Sequence, residues 1–237
     1  MSQPPDDSDH LAMAFPGPLA DDVRVVLAAM GTSRLKPAAP FPVDVQGRLL
    51  AIPTRLYNDE PSADALESLS PRQLTILHCL YTRHHDGRIR RRHLECVVGS
   101  AQPWVVPYVV QLAGEYVVEI LVVIREALGD LDTPGTALRA AYGRFIVDNP
   151  SFFARTQRRV VSYWSCYHRL DYTRFPDYPG CTVLELLRAA ASDLAGHPWP
   201  RLTPPAGRAG PSGHCQTPYR DVALRPAPGG SPARPPV

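Results

Sequence analysis

The sequence predicts a mainly α-helical protein: a helical bundle around a long central helix (about 104–128), with a small N-terminal β-hairpin. Apolar residues recur at helical spacing through most of residues 62–196, which favours helices packed on a common core. Residues 102–128 are almost continuously apolar and long enough for about seven helical turns. Residues 42–57 instead alternate in polarity around Gln46-Gly47, a pattern typical of a hairpin.

The apolar segment 102–128 is predicted to be buried in protein and not in a membrane. Glu115 and Glu119 lie near its middle, and a carboxylate at the centre of a membrane span costs about 3 kcal/mol of insertion free energy. Together with Gln111 and Glu126, they are predicted to form one polar stripe along an otherwise apolar helix. Such a helix fits the axis of a globular bundle.

Proline is distributed unevenly, and its distribution divides the chain into three parts. Nine prolines precede Ser62, seven lie in residues 62–196 and eleven lie in residues 197–237. We therefore predict a disordered acidic head (1–19), a single helical domain (20–196) and a disordered Pro/Gly-rich tail (197–237).

The composition indicates a cytoplasmic protein without a membrane anchor. The five cysteines are odd in number, irregularly spaced and without a CxxC pair, which is typical of a reducing compartment. The N-terminus is acidic and lacks the basic region and apolar segment of a signal peptide. The formal net charge of +2 selects no class of partner.

Caps and stops mark the elements before the central helix. A short helix is predicted at 21–30, followed by the hairpin. Ser70 and Pro71 are expected to open the next helix as N-cap and first residue, and Asp86-Gly87 to end it. A shorter helix, about 90–98, then precedes the central one.

Three helices are predicted after the central one. The first ends before Asn149-Pro150, and this pair is expected to cap the second, about 151–170. Thr182 and Glu185 have the spacing of a capping box for the last helix, which Gly196 is expected to end.

Four segments carry a resemblance to known sequences: LAIPTRLYNDEP, LYTRHHDG, PWVVPYVVQLAGEYVVEI and NPSFFARTQRRVVSYWSCYHR. Through them, about residues 48–170 resemble an uncharacterised family of actinobacterial proteins. The excess of arginine over lysine, 24 to 1, fits the GC-rich genomes of such organisms. The resemblance implies no activity, because none is assigned to that family.

The helix predicted at 151–170 carries the first candidate site. Phe153, Val160 and Trp164 share one face of it. The opposite face carries four arginines and no acid from the same helix: Arg155, Arg158, Arg159 and Arg169. Like charges at helical spacing repel by a few tenths of a kcal/mol each, so either acidic groups from elsewhere in the fold or an anionic partner is expected here. The glutamate stripe and the acidic head are the internal candidates.

A second group of arginines lies just before and inside the helix predicted at 90–98. It comprises Arg88, Arg90, Arg91 and Arg92. These side chains could bind phosphates. The alternative is a solvated turn, neutralised by Asp86 or Glu95.

The three helices of residues 69–128 have the order of a helix-turn-helix unit. A recognition helix must present polar side chains to base edges. The third helix instead begins with proline, tryptophan and valines, so the same three helices fit an ordinary core more readily.

Seven potential ligands of a metal ion crowd into 19 positions: His78, Cys79, His84, His85, Asp86, His93 and Cys96. His93 and Cys96 could supply one pair on a helix, but no second pair with a short spacing accompanies them. No nucleophile motif is present either. We therefore predict no metal, no cofactor and no catalytic residue.

The sequence as a whole favours binding over catalysis. We expect an interaction module that presents an arginine-rich face to an acidic protein segment or to nucleic acid. A helix-turn-helix-like DNA-binding regulator is the alternative, and an enzyme of unknown class is the third possibility.

Overall fold

The computed structural model describes residues 7–33 and 35–204. Within these ranges the protein is mainly helical with one two-stranded antiparallel sheet, which confirms the predicted fold class. The α-helices and strands are α1 (Asp7–Ala12), α2 (Ala20–Ala29), β1 (Pro40–Val45), β2 (Arg48–Pro53), α3 (Ala63–Glu67), α4 (Pro71–Tyr81), α5 (Gly87–Glu95), α6 (Val106–Ala113), α7 (Val118–Ala127), α8 (Ala137–Asp148), α9 (Pro150–Tyr163) and α10 (Pro179–Ala195).

The hairpin forms where the sequence predicts it. Gln46 and Gly47 connect β1 to β2 with φ angles of 56° and 76°, as a two-residue turn matched to the strand twist requires. The side chain of Asn149 fastens this hairpin to the helices. Its Oδ1 accepts a hydrogen bond from Asp44 N at 2.8 Å, and its Nδ2 donates to Asp44 O at 2.8 Å.

The apolar segment forms two helices, α6 and α7, so the prediction of one continuous central helix is corrected. Gly114 closes α6, and the chain turns through residues 114–117 before α7 begins. This turn carries Glu115 into the core, where its side chain is 1% exposed, whereas Glu119 faces solvent. The predicted polar stripe is therefore divided between interior and surface.

The core is built around α6, whose eight residues are all buried. Helices α7, α8, α9 and α10 pack against it or against one another. The closest approach is between α8 and α10: a Cβ atom added at Gly143 would lie 2.4 Å from Ala190 O. Only glycine permits this packing.

The folded part of the chain is longer than predicted at both ends. Phe15 is buried and stacks on Tyr108, whose hydroxyl donates to Ala14 O at 3.0 Å, so the fold begins before residue 20. At the other end, Trp199 packs on the core and Leu202 N donates to Gln157 Oε1 at 3.0 Å. Residues 1–6 of the predicted head and residues 205–237 of the predicted tail lie outside the described residues.

The helix ends follow their local signals only in part. The Ser70 hydroxyl accepts from Gln73 N, and Gln73 Oε1 accepts from Ser70 N, which completes a capping box at α4. The capping box predicted at Thr182 is wrong, because α10 begins at Pro179. The helix α9 also ends earlier than predicted, in a π-helical turn over Trp164–His168.

Asp86 does not end α4 as predicted. It is the N-cap of α5 instead, and its carboxylate accepts from Arg88 N at 2.7 Å. No helix in the described ranges combines the length and the apolar character needed to cross a membrane.

Candidate anion-binding surface

Three arginines surround one buried carboxylate. Arg55 donates to Glu115 through both Nη atoms, at 3.2 and 3.5 Å. Arg90 Nη2 lies 3.5 Å from the same carboxylate, and Arg83 Nη2 lies 3.9 Å from it. Arg83 and Arg90 are buried completely or almost so, whereas Arg55 is about one-sixth exposed. We call Glu115, Arg55, Arg83 and Arg90 the buried cluster; its formal charge is +2.

Backbone pairing brings these distant residues together. Leu56, which follows Arg55, donates from its N–H to Arg83 O at 2.8 Å, and His85 N donates to Leu56 O at 2.9 Å. This short parallel bridge aligns the segment after β2 with the end of α4. Arg90 lies on the first turn of α5, and its side chain reaches the carboxylate of Glu115 in the turn after α6.

Backbone carbonyl groups partly offset the excess of positive charge. Arg90 Nη1 donates to His84 O at 2.9 Å and to His85 O at 2.8 Å. Arg83 donates to Pro53 O and Thr54 O, at 3.3 and 2.9 Å. The Nε atom of Arg90 is buried without a hydrogen-bond partner. Within the buried cluster, Glu115 therefore supplies one full negative charge against three positive ones, and the carbonyl groups add dipoles.

The arginines keep Glu115 ionised. Burial by itself would raise the pKa of its carboxyl group, but Arg90, Arg55, Arg83 and Arg159 together lower it to about 2. Burial lowers the pKa of Arg83 to about 9, an effect that Glu115 opposes. At neutral pH Glu115 and Arg83 are therefore both charged.

The helix α9 presents cations to solvent next to this cluster. Arg155 and Arg158 are exposed and Arg159 is half-buried. Within residues 7–33 and 35–204, no acid lies within ion-pair distance of these three side chains, which we call the arginine face. Arg159 belongs to both regions, because it also lowers the pKa of Glu115.

Three tyrosines adjoin the arginine face. Tyr116, Tyr163 and Tyr167 contact one another pairwise, with ring centroids 6.0 to 6.2 Å apart. Tyr116 is 44% exposed and Tyr167 is 55% exposed. The guanidinium carbon of Arg159 lies 5.8 Å from the centre of the Tyr163 ring. This tyrosine triad and the arginine face therefore form one continuous surface.

The π-helical turn and the turn after α6 hold the triad in place. His168 Nε2 lies 2.6 Å from Tyr116 O, which ties the two segments together. A Cβ atom added at Gly114 would lie 3.7 Å from Arg159 Cβ, so this turn packs directly on α9. π-helical turns inside α-helices occur frequently at functional sites.

The structure brings together only part of the predicted arginine set. Arg169 is half-buried, and its guanidinium group lies 5.6 Å from the Trp164 ring centre. Arg90 is buried beside Glu115, which corrects its assignment to a partner-binding surface. Arg91 pairs with Glu95 at 3.0 Å, and Arg92 pairs with Glu60. These last two follow the alternative of a solvated turn with nearby acids.

Sequence reasoning did not find the buried cluster or the tyrosine triad. Tyr116 and Tyr167 share helical spacing with apolar residues, a pattern typical of the core, yet both are exposed. The spacing of Tyr163 and Tyr167, four residues apart on one helix, was the available signal.

The histidine cluster forms a hydrogen-bonded chain. His78 Nδ1 lies 2.8 Å from His93 Nδ1, and His93 Nε2 lies 2.9 Å from Glu60 Oε1. Burial lowers the pKa of His78 to about 4, with a contribution from His93. Among the described residues, no group of three or more histidine, cysteine or acidic side chains is placed to hold a metal ion. These hydrogen bonds link α4, α5 and the segment before α3.

Comparisons with known proteins add no relative: no family model, no curated protein and no solved structure matches this chain. The resemblance to an actinobacterial family stays a prediction. The fold and the surface define a helical protein whose arginine face has no acid of the described residues within ion-pair distance and lies beside exposed tyrosines.

Proposed function

We propose that this protein is an interaction module that binds an anionic partner, either an acidic protein segment or a nucleic acid, through the arginine face. One observation carries the proposal. Arg155 and Arg158 are exposed, and no acid of the described residues lies within ion-pair distance of them or of Arg159. A cytoplasmic location stays a prediction from the cysteine pattern.

The electrostatics of the surface support an anionic partner. Arginines three and four residues apart on a helix repel one another, which a bound anion would relieve. The buried cluster lies behind this face with a formal charge of +2, and a low-dielectric interior screens this charge less than water does. Both effects favour the approach of negative charge.

The helix-turn-helix alternative receives no such support. The helix that follows α5 is α6, and all eight of its residues are buried. A recognition helix needs exposed side chains that reach base edges, and α6 offers none. The arginine face lies on α9, outside the predicted three-helix unit.

Salt-dependent binding to anionic probes tests the proposal. We expect fluorescence anisotropy to detect binding of a labelled oligonucleotide or of a labelled polyglutamate peptide, and this binding should weaken steeply from about 50 to about 200 mM salt. Changing Arg155, Arg158 and Arg159 together to glutamine should weaken it by at least about tenfold.

A matched control removes three exposed arginines elsewhere. Arg24, Arg72 and Arg174 have side chains 73, 65 and 75% exposed, and each pairs with a nearby acid. Their combined change to glutamine lowers the net charge equally. If this control weakens binding as much as the arginine-face variant does, or if neither probe binds at low salt, the proposal fails.

A further inference from the structure

We infer that the partner of this surface is single-stranded nucleic acid, bound without strong sequence preference. The inference rests on the proposed function and specifies its partner. It depends on the tyrosine triad, which an acidic peptide would not require.

The tyrosine triad offers rings on which bases can stack. Tyr116 and Tyr167 expose about half of their surface although both are large aromatic residues. Proteins that bind single strands combine such rings with a positively charged track, because every base has a face that stacks on an aromatic ring. Tyr163 lies between the exposed tyrosines and Arg159, and so connects the two parts of the surface.

The arginine face supplies the charged track. Arg155 and Arg159 are four residues apart on α9, as are Arg159 and Tyr163, and Tyr163 and Tyr167. Arg155, Arg159 and Tyr163 lie on α9, and Tyr167 continues the row into the π-helical turn. Residues four apart on a helix are neighbours on one face, so cations and rings follow one another along a single row. A strand lying along this row would place its phosphates on arginines and its bases on tyrosines.

Duplex DNA fits this surface less well. In a duplex the base faces are stacked on one another, so only the backbone would be available to the arginines. The rings of Tyr116 and Tyr167 would then gain no stacking partner. Binding energy from the tyrosines is therefore specific to strands whose bases are unpaired.

The experiment compares three labelled probes on the full-length protein by fluorescence anisotropy: oligo(dT) of about 15 nucleotides, a duplex of the same length, and a polyglutamate peptide of equal charge. We expect oligo(dT) to bind at least about tenfold more tightly than either of the others. Tyr167→Ala should weaken oligo(dT) binding by about tenfold and leave polyglutamate binding unchanged.

Tyr167→Phe is the matched control, because it keeps the ring and removes only the hydroxyl group. It should bind oligo(dT) like the wild type. If the peptide or the duplex binds as tightly as oligo(dT), or if Tyr167→Ala has no effect on oligo(dT), the inference is overturned while the proposed function stands. If none of the probes binds, both fail.

Discussion

Arg90 Nη2 lies 3.5 Å from Glu115 Oε2, and each of these side chains is 1% exposed. Glu115 is shared with Arg55 and Arg83, so one carboxylate neutralises part of the charge of three guanidinium groups. Removing a single member of such a buried group leaves the others uncompensated, which costs more than the net value of the interaction itself. This relationship makes Glu115 the most sensitive position of the buried cluster.

Glu115→Gln is expected to lower the free energy of unfolding by about 3–5 kcal/mol, because three buried or half-buried guanidinium groups lose the carboxylate that they share. Urea denaturation measures the change. Glu119→Gln is the control: Glu119 is exposed and lies four residues later, so its replacement should change the stability by less than about 0.5 kcal/mol. Equal effects of the two variants would contradict the structure.

The contribution of Glu115 to stability should depend on pH. Its pKa is about 2 in the folded protein and 4.5 without perturbation, so its stabilising effect is complete above about pH 4.5 and is lost as the pH falls toward 2. The stability difference between wild type and Glu115→Gln should therefore shrink by about 3 kcal/mol over this window. Urea denaturation at several pH values measures it, and a difference that stays constant with pH would refute the assignment.

Asn149→Ala should destabilise the protein by about 2–3 kcal/mol, because it leaves the N–H and C=O groups of Asp44 without partners at the packed side of the hairpin. Hydrogen exchange should show faster exchange of the Asp44 amide. Asn149→Asp keeps an acceptor for that amide but loses the donor, so an intermediate loss is expected. An alanine variant with wild-type exchange at Asp44 would show that the clamp is unimportant.

Gly143→Ala should also destabilise, although alanine is the better helix former by about 1 kcal/mol. The added methyl group would lie 2.4 Å from the carbonyl oxygen of Ala190, which forces α8 and α10 apart at a cost of roughly 1–3 kcal/mol. A thermal melt compares this variant with Gly99→Ala, where no atom lies within 4 Å of the added group. Melting temperatures that fall equally in both variants would count against the close packing.

The fold class could be predicted because helices and the hairpin depend on patterns within a few residues. The polar stripe failed for a physical reason: it assumed that helical spacing continues through Gly114, where the chain turns instead. Once the helix is interrupted, Glu115 and Glu119 no longer share a face. Helical spacing misleads for the tyrosines as well, since Tyr116 lies in that turn and Tyr167 in the π-helical turn.

Half of the candidate site was predictable. Arg155, Arg158 and Arg159 could be picked out from the sequence, because α9 contains these arginines and no acidic residue. Arg91 pairs with Glu95 four residues later on the same helix, as the sequence allows, whereas Arg92 pairs with Glu60. Glu60 is separated from Arg92 by 32 residues, and no local sequence pattern predicts an ion pair over that separation.

By itself the sequence determined the features that depend on adjacent residues: the Gln46-Gly47 turn, the capping box at Ser70 and the helix stop at Gly196. Tertiary structure alone decided which charges are buried together. Arg55 and Arg90 reach Glu115 across 60 and 25 residues of chain, because backbone pairing and the break after α6 carry them to the same point. Local conformation follows from nearby residues, whereas the electrostatic environment of a side chain depends on every segment that packs around it.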